Sequence, residues 1–180
     1  MIWESMYWKS DLARRAAYLE GRLGQRAWRD ASFSKLEQCV MLAFYSIRKL
    51  AEANKISQET YNEPLALYEY KSLGRKIDHL NLHKLSEIYQ MDSPLEARKS
   101  LGFVANQIIH SFVFQPIFAD KKSLYGIAFN SDITKSKVLF LVPAIELIRI
   151  FNLVGNRYVH TSVMRRNEET GQFEIVVTDT

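Results

Sequence analysis

The chain of 180 residues is 47% hydrophobic and 24% charged, with a net charge of +4 and a pI near 9.1. That length suits one domain, and that composition excludes wholesale disorder, because enough apolar surface is present to offset the conformational entropy lost on folding. The modest positive charge permits contact with nucleic acid without identifying it, since strong binders concentrate their charge on one face.

Leu12, Ala16, Leu19, Leu23 and Ala27 recur at helical spacing and predict a helix from Lys9 to about Arg29. Arg15, Arg22, Arg26 and Arg29 flank its apolar stripe. They read either as a basic ridge for phosphates or as arginines laid over the edge of a core with their heads in water. Gly21 and Gly24 weaken the helix, which favours the second reading.

Ser34-Lys35-Leu36-Glu37 has the form of a capping box, and Leu36, Val40, Ala43, Ile47 and Leu50 continue a second helix to about Lys55. Its middle is apolar nearly all round, as in a helix enclosed by other elements, and Cys39 reads as a small buried side chain. Leu65 to Tyr70 fits a short strand or structured crossing, closed by Gly74. A short helix is expected from Ile77 to Tyr89. Ser93-Pro94 with Glu96 signals the start of another, running from Pro94 to about Val113.

Farther on, Ser123 to Asn130 and Lys137 to Val142 read as strands, and Pro143 to Val154 as a helix. Arg157 to Arg166 and Gln172 to Thr178 form strands around the turn Asn167-Glu168-Glu169-Thr170-Gly171. The expected class is α+β in one domain spanning 1–180. A bundle of about four helices, within about 9–113 and built on the Ser34 and Pro94 segments, carries an antiparallel sheet or hairpins from 123–180.

A single cysteine and the lack of a leader predict a cytoplasmic address. The longest apolar-leaning stretch, Val138 to Val154, is interrupted by Pro143, Glu146, Arg149 and Asn152, so no membrane contact is expected. No phosphate-binding glycine loop, nucleophile elbow or paired-cysteine signature is present, and no cofactor is expected. His79, His83 and Glu87 have the spacing of ligands along one helix face. They lack the intervening glutamate of zinc proteases and an acidic cluster to complete a site, so no metal is expected. In Arg157-Tyr158-Val159-His160, strand alternation puts arginine and histidine on opposite faces and splits a possible catalytic pair.

The remaining candidate lies on the helix begun at Pro94. Leu101, Val104, Ala105, Ile108 and Phe112 form one apolar face, while Lys99, Asn106 and His110 lie opposite, with Phe103 and Ile109 beside them. A polar pair set away from the core meets water or another surface.

Ala105-Asn106-Gln107-Ile108-Ile109-His110-Ser111-Phe112 resembles the helical motif of the HEPN superfamily, in which an arginine, commonly followed by asparagine, precedes a histidine by four to six residues. Asn106, His110 and Phe112 match, and Ala105 stands where the arginine would be. The resemblance implies a helical bundle, commonly dimeric, whose paired motifs face a cleft that cuts RNA without a metal. Loss of the arginine removes a cation that would stabilise the transition state. His110 retains the capacity for proton transfer, and Lys99 offers a point charge in the arginine's stead.

Two functions follow. The first is a noncatalytic, self-associating interaction or regulatory protein using the surface around Phe103, Asn106, Ile109 and His110, with Lys99, Arg15, Arg22 and Arg26 as further binding candidates. The second is a metal-independent ribonuclease in which His110 transfers protons and Asn106 orients the phosphate. The missing arginine favours the first. The expected partners are a second copy, another protein or RNA.

Overall fold

A computed structural model describes residues 2–120, 123–168, 171 and 173–179. The fold is α+β, as the sequence predicts. Helices α1 (Ser5–Leu23) and α2 (Asp30–Glu52) open the chain, followed by the single turn α3 (Gln58–Tyr61) and strand β1 (Pro64–Lys71). A second short turn, α4 (Leu85–Ile88), leads to β2 (Leu95–Ser100), α5 (Leu101–Ile109) and β3 (Ser111–Phe118). Strands β4 (Leu124–Ser131) and β5 (Val138–Pro143), helix α6 (Ala144–Asn156) and strands β6 (Val159–Arg166) and β7 (Phe173–Asp179) complete it. No helix among the described residues is long and apolar enough to cross a membrane.

The main sheet has five strands in the order β2-β1-β5-β4-β3, and neighbouring strands pair antiparallel. Helices α1, α2, α5 and α6 cover one face. Leu12, Ala16 and Leu19 of α1, Val40, Phe44 and Ile47 of α2, and Phe151 of α6 are buried there against Leu65, Ile127 and Phe129 of the sheet. Helix α1 ends at Gly24, so Arg26, Ala27 and Arg29 lie beyond it. The other face is partly covered by the segment between β1 and β2, through Ile77, Leu85, Ile88 and Tyr89.

Four expectations are corrected. The chain from Pro94 to Val113 is a strand, a nine-residue helix and another strand, with Ser100 rather than Ser93 as the N-cap, its hydroxyl 3.2 Å from the Phe103 N–H. Edge strand β2 buries little and carries a weak apolar signal, while Phe112 continues the helical spacing although it belongs to β3. Ile77 to Tyr89 forms turns and the four-residue α4 rather than a helix, so His79 and His83 share no helix face. The Ser34–Glu37 box lies inside α2, which starts at Asp30 after Arg29. The division into a helical part and a strand-containing part also fails, because β1 and β2 join the same sheet as β3, β4 and β5.

Strands β6 and β7 form a separate two-stranded ribbon, as the sequence pattern predicts. In its turn, Glu169, Thr170 and Gln172 lie outside the described residues. The ribbon is pinned at its base, where the Asp179 carboxylate accepts hydrogen bonds from the Ser57 N–H and hydroxyl, both at 2.7 Å, and from the Thr60 hydroxyl at 3.0 Å. Arg157, the residue that ends α6, also donates to the Thr60 hydroxyl, at 2.9 Å.

Candidate functional site

Asn106 and His110 are both exposed, while Leu101, Val104, Ala105 and Ile108 on the opposite side of α5 are buried. His110 closes α5, its N–H donating to the Asn106 carbonyl. Its Nε2 lies 3.3 Å from Nη1 of Arg48 on α2. A guanidinium only donates, so in this contact Nε2 accepts and the neutral ring carries its proton on Nδ1. Arg48 also pairs with Glu52 at 2.9 Å, and Glu52 with Lys49 at 2.6 Å. The two cations hold the Glu52 carboxyl below its usual range, the hydrogen bond from Lys49 contributing most.

A guanidinium thus stands beside His110, although it comes from α2 and not from the arginine position at Ala105. Sequence reasoning missed Arg48 because it lies 62 positions from His110 and reads locally as one half of an ordinary helix pair with Glu52. The Tyr61 ring packs against Gly102, one turn before Asn106, and senses the charges of Arg48 and Glu52. Burial is the main cause of its raised pKa.

The other predicted residues do not join this cluster. Lys99 is on β2 rather than a helix, paired with Glu69 at 2.8 Å and set over the Phe103 ring. Phe103 is partly buried and packs edge-on against Phe140, and Ile109 is partly buried against the main core. Arg15 binds Asp11 at 2.6 Å and reaches the Cys39 carbonyl at 3.4 Å, stitching α1 to α2. Arg22 lies over the Tyr18 ring and bonds Gln25, and Arg26 donates to the Asp120 carbonyl. These arginines tie segments together and do not form one ridge. Cys39 is buried, and burial pushes its thiol up to about 11, which leaves it a poor nucleophile.

His79 stacks on Phe112 with centroids 5.0 Å apart, and Glu87 pairs with Lys84 and Arg75. Among the described residues no group of three or more histidine, cysteine or carboxylate side chains could hold a metal ion.

An unmatched apolar surface lies on the ribbon. Met164 is 67% exposed, Phe173 68% and Val176 55%. Cross-strand register puts Met164, Ile175, Phe173 and Val177 on one side, and Val177 is buried against the body. The apolar stripe therefore starts at a covered base and continues uncovered toward the tip. A cavity of about 620 Å³ opens beside it, lined in part by Trp8, Tyr45, Lys49, Glu52 and Ile175.

No family model, curated protein or solved structure matches this chain. Its class is set by the architecture alone: an antiparallel sheet with helices on one face and an appended β-ribbon.

Proposed function

We propose that the chain is a noncatalytic interaction protein of the cytoplasm that self-associates through its β6–β7 ribbon. The supporting observation is the stripe of Met164 and Phe173, which continues past the buried Val177 into the open. A two-stranded ribbon is marginal alone, its outer edges are free to pair, and exposed contiguous apolar surface marks an interaction site.

A second copy suits this surface. The same stripe can meet itself across a two-fold axis, each copy offering Met164 and Phe173 to the other. Phe173→Glu is expected to weaken the dimer by about 30-fold or more, the usual penalty for an interface anchor. Light scattering would show the mass falling to that of one chain, with the melting temperature unchanged. A mass insensitive to this change rejects the ribbon as the interface.

The Arg48–His110 contact favours a second reading, metal-independent RNA cleavage, with Arg48 supplying the missing guanidinium. The noncatalytic reading expects single-stranded RNA to stay intact on incubation with the chain and EDTA. Cleavage that disappears in both His110→Ala and Arg48→Ala, with folding retained, would replace it.

A further inference from the structure

The uncovered half of the sheet's second face is built differently from the rest of the surface. Antiparallel register lines up Gln115, Ala128, Leu141, Tyr68 and Glu96 in one row, and Gly126, Pro143, Ala66 and Arg98 in the next. The segment carrying Ile77 and Tyr89 covers the neighbouring row at Tyr70, Leu139 and Val113 and the middle of the first row at Ala128 and Leu141, and leaves the β1–β2 end open. The result is a cavity of about 460 Å³ with small residues in its floor, Tyr68 in its wall and Glu96 and Arg98 at its rim.

The polar groups around it have spare capacity. The Arg98 side chain is exposed and forms no hydrogen bond or ion pair among the described residues, while its charge acts on the carboxylate of Glu146. The nearby Glu146 is held by Arg149 and by the Ala66 N–H. The phenols of Tyr68 and Tyr125 interact, and that hydrogen bond, with burial behind it, pushes Tyr125 up to about 12.

We propose that this face binds a nucleotide, its base laid against Tyr68 and Tyr125 and its phosphate held by Arg98. Aromatic side chains on an open sheet face stack flat bases, and arginine's fork matches two phosphate oxygens. Glu96 supplies an acceptor for an amino group of the base edge, which a simple apolar ligand would leave unused. The nucleotide comes either free or within a single strand. The site lies on a different surface from the ribbon and stands independently of self-association.

Isothermal titration with guanosine monophosphate, adenosine monophosphate, guanosine, ribose 5-phosphate and a single-stranded RNA of about eight nucleotides separates these cases. Arg98→Ala is expected to weaken a phosphate-bearing probe by about 10- to 100-fold and leave guanosine unchanged. Tyr125→Ala is expected to weaken every base-bearing probe by about 10-fold. Both side chains are exposed, so the thermal melt should stay at its unmodified value and report that the variants fold. Tight mononucleotide binding identifies the free ligand, and binding of the RNA alone with the same variant responses identifies the strand. No binding of any probe, or binding indifferent to both substitutions, overturns the proposal.

Discussion

Replacing Gly126 by alanine is expected to cost about 3 kcal/mol, because a new atom in a filled space forces backbone to move. In a chain of this size that lowers the melting temperature by roughly 6–12 °C. Gly126 pairs with Pro143 across β4 and β5, and a Cβ there would stand inside contact distance of the Val142 carbonyl oxygen and 3.0 Å from the Pro143 Cα. Both obstacles are main chain in the centre of the sheet, so neither can swing aside. Gly102→Ala is the matched control. Its Cβ would come 2.5 Å from Cε1 of the Tyr61 ring, a side chain that can shift, and alanine returns about 1 kcal/mol of helix propensity. Calorimetry should therefore show a large loss for Gly126→Ala and a small change for Gly102→Ala. Equal losses would show that the two approaches are not different in kind.

Asp179→Ala is expected to release the ribbon while the main sheet and its helices stay folded. The carboxylate takes three hydrogen bonds from Ser57 and Thr60, and Thr60 is fully buried, so deletion leaves those donors without their charged partner. A hydrogen bond to a charged group contributes about 1.5–3 kcal/mol, and the ribbon's other buried anchor is Val177. Hydrogen exchange would show β6 and β7 losing protection with α1, α2 and the five-stranded sheet unaffected. A global melt or an unchanged ribbon contradicts this assignment.

The same carboxyl gives the ribbon a pH dependence. Burial works to raise its pKa, but the bonds from Ser57 and Thr60 and the charge of Arg157 outweigh burial and hold it below the usual aspartate range. A folded value depressed in this way means that the stabilisation is fully present above the ordinary aspartate pKa near 4. It is lost as the pH falls through the lowered value, because the released state then binds the proton more readily. Ribbon protection should persist at neutral pH and decline in acid, and that decline should vanish in Asp179→Asn.

Much of this fold is legible in the sequence where a local period coincides with burial. The α1 stripe of Leu12, Ala16 and Leu19 is fully buried, and strands β4 and β5, helix α6 and the closing ribbon fall close to where apolar runs and turn residues put them. Between Pro94 and Val113 the sequence misleads for a physical reason. Leu101, Val104, Ala105 and Ile108 carry a true helical stripe, Phe112 extends its spacing by coincidence, and Pro94 just before β2 imitates a helix start. Edge strand β2 is largely solvated, so its pairing with β1 leaves little alternating signal. Sheet order and the approach of Arg48 to His110 depend on contacts distant in sequence, which no local pattern encodes. For Asn106 and His110 the expected exposure is what the structure has. The neighbours Phe103 and Ile109 are instead engaged with the core, which moves the open apolar surface to the ribbon.

Sedimentation of the unmodified chain over a wide concentration range tests the self-association proposal most directly. The account predicts a species of twice the 21.0 kDa chain mass that dissociates on dilution and is lost in Phe173→Glu. A mass that stays at 21.0 kDa at the highest concentration reached would contradict it.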